Sequence, residues 1–541
     1  MINQKREKRI ILFSVVFLFA LLTLILGAHD ETGDDNMMQL YIGVSDGNPS
    51  SFQIWTSVFW GAAVAFLQKC FGFFAWHYLL QLILIVIALT LIIGWFLDNI
   101  KCAAFFRWSV PFVFTILIYY QSVYLFNFTR TSALIIAAGI LFLFGEKKRF
   151  VSVLLFVLAG VLRFDTVYIA IGYCLAAFVA VFFFKMTEKV RRVACIILSV
   201  SFVFLINAGQ SFLLSYNKEW NEVKAYNNAA SSVVDYGLKD YEENKALYEE
   251  YAVSDNDYRF LTGRLAGSDP DVYTKERLNE IGTIFSEKGF TDNLGGKMIE
   301  FAKAIVKAFV ISPTGALAAF VLLLVLIFGA KKERVFSVLL LAGSFAYIGL
   351  FVLMGRAPER VLFAVTLMML CTLLPLLKKT LSEKTKDTKL QRASLRVLPV
   401  FLAIVCLSAP FVCKNNTEIV NSEEFETIQE NGEEFYAYYG LDEAYSVSNI
   451  LLTKDYWDTS NTFRLSLFAI TPHEKAKLEK YGINNIYRDS IGSDTIRFIC
   501  SESSIKIIKK YIEEHYSEGI DAVVCKNFDK NNVYKIVKNN Y

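Results

Sequence analysis

A chain of 541 residues that is 55% hydrophobic, with a mean hydropathy of +0.40, is too apolar for an ordinary soluble protein and too long for a single domain. Its net charge of +3 is small, and its basic residues are spread over separate loops rather than gathered in one patch, which excludes a nucleic-acid footprint. Several runs reach the roughly 18 to 20 apolar residues that a helix needs to cross the hydrocarbon of a bilayer, so the expected fold class is an α-helical polytopic membrane protein.

The first run, residues 9–28, follows "KREKR" and is too long and too leucine-rich at its end for a cleaved signal peptide, and it reads as a retained helix. Further membrane helices are expected at about 76–97, 109–126, 131–145, 150–162, 166–184, 193–212, 313–330, 335–353, 360–377 and 396–413, about eleven in all. With this set, the basic segments at the N-terminus, Lys101 and Arg107, "EKKR" at 146, "KMTEKVRR" at 185, "KKER" at 331 and the loop from 378 to 396 all share the cytoplasmic side. Residues 50–75, with Trp55 and Trp60, and residues 297–310 are expected to lie in the outer interface as amphipathic helices.

Two polar regions fall outside the cell by this topology. Residues 213–296 are acidic and tyrosine-rich and read as short helices separated by Asp, Ser and Gly. Residues 414–541 alternate a helical stretch, "SSIKIIKKYIEEHYS", with the β-rich runs "DTIRFIC", "DAVVCKNF" and "VYKIVK", the pattern of a small α/β domain. The expected organisation is therefore 1–212 membrane, 213–312 extracytoplasmic and helical, 313–413 membrane, and 414–541 extracytoplasmic α/β. Nine cysteines lie mostly in apolar runs; only Cys500 and Cys525 fall in polar sequence, where an oxidising exterior would let them pair.

The unusual polar residues collect at the outer ends of helices. "HDETGDD" brings Asp30, Asp34 and Asp35 together beside His29; "NFTRT" carries Arg130, "LRFDT" carries Arg163 and Asp165, and "GRAPER" carries Arg356 and Arg360. Acids in one loop and arginines in three others can hold a phosphate-bearing substrate while a carboxylate stays free to take a proton. Each has a plainer reading: a solvated loop for the acids, interface anchors for Arg356 and Arg360, and a structural ion pair for Arg163 with Asp165. His77, His473 and His515 are scattered and form no constellation.

The order of parts resembles the GT-C superfamily of polytopic membrane glycosyltransferases: a first helix, an outer loop with adjacent acids, "HDETGDDNMM", an interfacial helix, a multi-helix core and a soluble outer domain at the C-terminus. The resemblance implies transfer of a sugar from a polyprenyl-phosphate donor to a glycan or lipid acceptor at the outer face of a bacterial plasma membrane. It implies that Asp34 and Asp35, with Asp30 as second choice, are the catalytic or metal-binding acids, with a divalent cation such as Mg or Mn as the cofactor to test. Arg163, Asp165, Arg356, Arg360 and Arg130 are then the phosphate- or substrate-binding set, with the arginines on the carrier phosphate, and Tyr236, Asp257 and Tyr258 contact the acceptor. A transporter or carrier-lipid flippase and a non-catalytic surface-binding protein are the rival classes.

Overall fold

The computed structural model describes residues 4–41, 49–100, 104–145, 149–286, 294–383, 389–413, 423–440, 450–456, 458–528 and 531–539. The N-terminal half runs α1 (Gln4–Leu26), α2 (Asp34–Gln39), α3 (Val58–Cys70), α4 (Trp76–Asn99), α5 (Ala104–Tyr119), α6 (Phe128–Phe144), α7 (Phe150–Leu162), α8 (Asp165–Phe183) and α9 (Lys189–Tyr216). A polar helical region follows: α10 (Lys218–Val234), α11 (Lys245–Glu250), α12 (Asp255–Thr262) and α13 (Lys275–Phe285). Next come α14 (Leu294–Val306), α15 (Pro313–Phe328), α16 (Lys331–Leu353), α17 (Glu359–Glu383) and α18 (Lys389–Val412). The C-terminal region holds α19 (Glu423–Glu430), β1 (Phe435–Tyr438), β2 (Thr462–Arg464), α20 (Pro472–Lys480), α21 (Ile486–Asp489), β3 (Ile496–Cys500), α22 (Glu502–His515), β4 (Ile520–Asn527) and β5 (Asn532–Lys538).

Every segment expected to cross the membrane is helical, and α1, α4, α8, α9, α16 and α17 are long and apolar enough to span. Most of the others are shorter. The helices α6 and α7 have 17 and 13 residues, and α14 with its π-helical end meets α15 at a bend of 82°. Two helices sit at the centre: every residue of α6 is buried, and 78% of the apolar window of α17 is covered. Their continuous apolar sequence lets them face neighbours all round, as a helix inside a bundle must.

The bend at 311–313 has local causes. Pro313 opens α15 where a missing N–H costs nothing, and Lys307–Ile311 is wound as a π-helix before it. Gly315 allows the backbone of Ala308 to approach where any Cβ would collide. A second π-helical stretch, Tyr120–Tyr124, ends α5 beside it, and the Gln121 side chain ties the two: its Nε2 donates to Ser312 Oγ (3.1 Å) and its Oε1 accepts from Thr314 N (3.2 Å).

The two polar regions share one hydrophobic core. Phe260 and Tyr273 stack on Tyr511 with ring centroids 3.9 and 6.1 Å apart, and Tyr511 and Tyr516 both donate to the buried Asp269. The sheet has the order β2-β1-β3-β5-β4, with β1 parallel to β2 and β3, and β5 antiparallel to β3 and β4. Cys500 lies buried on β3 and Cys525 exposed on β4, with β5 between them, and both are free thiols. The pairing that an oxidising exterior would allow is not made, because the intervening strand keeps the two apart.

Candidate functional site

The opening loop is built by two left-handed glycines and a short bridge. Gly27 (φ +76°) ends α1, and Gly33 (φ +74°) starts α2, both in a conformation that L side chains rarely adopt. Between them the backbone runs beside the end of the π-helical stretch: Phe126 N donates to His29 O (2.7 Å) and Glu31 N to Phe126 O (2.9 Å). The loop is thereby pinned across the N-terminus of α6.

Its acids take different roles. The Asp30 carboxylate accepts from the backbone N–H groups of Thr32 (3.1 Å), Gly33 (3.0 Å) and Asn36 (2.7 Å) and from Tyr78 Oη (3.0 Å), which shapes the turn into α2. Burial, with Asp35 and Asp34 adding repulsion, pushes Asp30 up to about 8 against those backbone donors. Glu31 takes both arms of the Arg130 guanidinium, each at 2.8 Å, and Arg130 is only 2% exposed. Asp35 is fully buried. Its Oδ1 accepts from His77 Nε2 and Gln81 Nε2, both at 2.8 Å, and its Oδ2 from Phe128 N (3.1 Å) in the first turn of α6. The carboxylate thus satisfies an orphan donor of a helix N-terminus and sits at the end of the α6 dipole favoured by negative charge.

The tautomer of His77 follows from its neighbours. Trp60 Nε1 can only donate, and it lies 3.1 Å from His77 Nδ1, so Nδ1 is the acceptor and Nε2 carries the proton given to Asp35. A chain Trp60–His77–Asp35 joins α3, α4 and the opening loop, so His77 belongs to a constellation after all, and Trp60 is 5% exposed, packed against the protein.

Asp34 is the acid left over. It accepts from the Thr32 hydroxyl and makes no ion pair within 4 Å among the described residues; its surroundings include Arg360 and Arg163 on the attractive side and Asp35 on the repulsive side. Burial raises its carboxyl above the usual carboxylate range, with Thr32 and the two arginines opposing the shift.

The arginines divide in the same way. Arg130 is committed to Glu31 and lies over the Phe363 ring. Arg163 pairs with the mostly exposed Asp165 (2.7 Å), stacks over Phe128 and donates to Trp55 O (3.3 Å), while its buried Nε has no partner among the described residues. Arg356 pairs with Asp235 (2.6 Å), at the end of α10. Arg360, half-buried in the first turn of α17, makes neither an ion pair nor a hydrogen bond among the described residues, although Glu31, Asp34, Arg356 and Arg163 all lie within electrostatic reach. Its neighbour Glu359 pairs with Lys307 (2.7 Å) and lies 4.0 Å from Arg130.

The other expected positions are placed elsewhere. Tyr236 lies against Gly355 beside the Arg356–Asp235 pair, so it is close to the arginine turn. Asp257 belongs to the shared core of the polar regions, where it caps α12 and accepts from Tyr273 Oη (2.6 Å) and His515 Nε2 (2.9 Å). Tyr258 packs with Tyr241 and Tyr248 in that core.

A cation held by three aspartates of the opening loop does not fit these residues, because the oxygens of Asp30 and Asp35 already face N–H and O–H donors. Among the described residues, the one grouping with metal-ligand spacing is Asp257, Glu514 and His515, and there Asp257 is likewise saturated with hydrogen bonds. Comparison with protein-family models, with curated proteins and with solved structures finds no match, so the assignment of this site rests on its own geometry.

Proposed function

We propose that the chain is a membrane transferase that moves a sugar from a polyprenyl-phosphate donor to a glycan or lipid acceptor at the extracytoplasmic face, with Asp34 as general base and Arg360 as the principal phosphate ligand. The observation that carries the reading is the proximity of two groups that make no ion pair within 4 Å among the described residues: a half-buried guanidinium, and a carboxyl whose proton affinity is raised by burial. Arginines gathered around one unpaired member favour an anion, and the planar fork of Arg suits phosphate oxygens.

In the reaction, an acceptor hydroxyl attacks the anomeric carbon and gives its proton to Asp34. The bond from that carbon to the carrier phosphate oxygen breaks, and the electron pair leaves on polyprenyl phosphate, where Arg360, helped by Arg163 and Arg356, stabilises the growing charge. Asp35 and Asp30 act by position: they hold the loop so that Asp34 faces the arginines. The bend of 82° between α14 and α15 is the one feature that favours a transporter instead, since broken helices mark transport sites.

The test uses purified protein in nanodiscs with a panel of polyprenyl-phosphate sugars and reads release of polyprenyl phosphate. Transfer by wild type that is lost in Asp34→Asn and Arg360→Gln, both folded, supports the reading. Carrier-lipid movement across vesicles without release supports transport, and neither activity across the panel sinks both.

A further inference from the structure

We propose that the seam between α5, α15, α17 and α18 holds the hydrocarbon chain of a polyprenyl phosphate, which enters at the two facing π-helical turns and runs down beside α17. The inference rests on the reading of Arg360 as a phosphate ligand and says where the rest of that lipid goes.

Two cavities lie along this seam. The first, of about 280 Å³, opens beside the candidate site and is lined by Gln121, Arg130, Lys307, Ser312, Glu359 and Cys413, with Leu362 and Phe363 of α17 below them. The second, of about 100 Å³, is wholly apolar and includes Pro111, Phe114, Val321, Leu374 and Leu402. The helices α17 and α18 line both; the π-helical turns that follow α5 and precede α15 line the first, and α5 and α15 themselves, with α4, line the second. On α17 the lining moves from Leu362 and Phe363 to Leu370, Leu374 and Leu377, which is 7 to 15 residues along the helix. At a rise of about 1.5 Å per residue this places the second cavity ~10–23 Å further along the helix. On α18 the step is from Phe411 to Leu402, 9 residues or ~14 Å at the same rise.

The polarity along the path matches one kind of ligand. Its mouth has Arg130 and the half-exposed ion pair of Lys307 with Glu359, and Arg360 follows Glu359 in the chain without lining the cavity; its floor has no polar atom in its lining residues' side chains. An anionic head on a hydrocarbon chain meets both conditions. The deep cavity is small, about 100 Å³, which suits part of a single hydrocarbon chain.

The mouth is also where the helices depart from α geometry. Both π-helical turns line it, Tyr120–Tyr124 through Gln121 and Lys307–Ile311 through Lys307 and Ile311. Extra residues in a helical turn open its wall and recur at functional sites. The outer wall of the seam, α18, is held by stacking of Phe401 on Phe320, with centroids 4.4 Å apart.

The test is a long-chain polyprenyl monophosphate carrying a photoreactive group far from the phosphate, bound to the full-length wild-type protein in nanodiscs and mapped by mass spectrometry. Label within residues 317–324 or 370–377 is expected; label confined to residues 58–70 or to the polar regions overturns the seam. Val321→Trp and Leu374→Trp fill the deep cavity and are expected to weaken binding of the long-chain lipid at least tenfold while leaving a short-chain prenyl phosphate unaffected. Equal loss of both probes, or equal displacement of the long-chain lipid by phosphatidylglycerol, overturns it. Labelling in the seam without any sugar transfer leaves the seam standing and removes the transferase reading, so the two fail separately.

Discussion

Asp34 and Asp35 are adjacent and chemically identical, yet their asparagine variants are expected to fail in opposite ways. In Asp35→Asn one oxygen becomes an NH₂ group facing donors as the side chains stand: His77 Nε2–H and Gln81 Nε2 on one side, and Phe128 N–H on the other. Turning the amide so that its oxygen faces His77 and Gln81 sets NH₂ against Phe128 N–H. His77 cannot relieve the conflict by changing tautomer, because Trp60 Nε1–H holds its Nδ1 as an acceptor. Loss of charge assistance on two bonds, ~1 kcal/mol each, and one unpaired buried N–H, ~1–3 kcal/mol, sum to about 3–5 kcal/mol. With an unfolding entropy of about 2.1 cal/mol/K per residue, that lowers the melting temperature by at least about 3 °C if the whole chain melts together, and by more if a smaller unit melts first. Asp34→Asn loses only a hydroxyl contact and should stay within about 1 kcal/mol of wild type. Thermal unfolding in detergent, followed by tryptophan fluorescence, reads both. Melting of Asp35→Asn at the wild-type temperature, or an equal drop in Asp34→Asn, would refute the division of roles.

Three further outcomes follow from the same contacts. Arg130→Lys replaces a buried fork that grips both oxygens of Glu31 by a single ammonium, and should destabilise the protein by about 2–4 kcal/mol in the same melting assay, with Glu31→Gln giving a similar loss. Gly315→Ala puts a Cβ into the carbonyl of Ala308, so the bend cannot form, and the variant should accumulate poorly in membranes while Gly343→Ala, which meets no neighbour within 4 Å, accumulates normally. The Asp257–His515 pair gives a pH dependence. Burial lowers His515, but the hydrogen bond and charge of Asp257 raise it further, to a net raised value; burial raises Asp257, but its hydrogen bonds from His515, Tyr273 and Ser254 bring it below the usual range. A raised His contributes stability that is present below its unfolded pKa of about 6.5 and is lost as pH rises through the folded value, whereas a lowered Asp contributes stability lost as pH falls below about 4. The pair should therefore stabilise the polar regions most between about pH 4 and 6.5, and His515→Gln should flatten melting temperature against pH across the rise from 6 to 8.

The helices were legible because length and apolarity alone identify a buried or spanning helix. Three strands, β3, β4 and β5, and the amphipathic α22 were also legible from their patterns. The two remaining strands were not. β1 is "FYAY", buried at every position, and β2 is only "TFR", so neither shows the alternation that marks a half-exposed strand. The loop with its acids was visible as composition, but the sorting among them was not. Which oxygen is free depends on where the N-termini of α4 and α6 fall against the loop, a contact between segments 42 and 93 residues apart in sequence. The spacing of His77 and Gln81, four apart at the start of an apolar helix, was the one available signal that this end of α4 faces a polar partner.

Arginines read from sequence as equal phosphate ligands are unequal once their carboxylates are counted, and this sets an order that can be measured. Arg360 has no ion pair within 4 Å among the described residues to give up, with Glu31 and Asp34 acting on it only at longer range. Arg163 and Arg356 hold Asp165 and Asp235, but Asp165 is 61% exposed and the Arg356–Asp235 pair is about one-third exposed, so each pair contributes ~0–1 kcal/mol and can rearrange for a phosphate. Arg130 is buried and doubly bonded to Glu31, and releasing it would leave a carboxylate uncompensated. Affinity for a polyprenyl phosphate should then fall most in Arg360→Gln, by about 2–3 kcal/mol or 30- to 150-fold for a charged hydrogen bond. Arg163→Gln and Arg356→Gln should cost tenfold or less, and Arg130→Gln should show itself first as instability. Native mass spectrometry of the four variants with one lipid, at matched folded fraction, gives the ranking. A larger loss in Arg130→Gln than in Arg360→Gln, in protein that melts like wild type, would mean that the anion sits over the Glu31 side of the loop and that Asp34 does not face it.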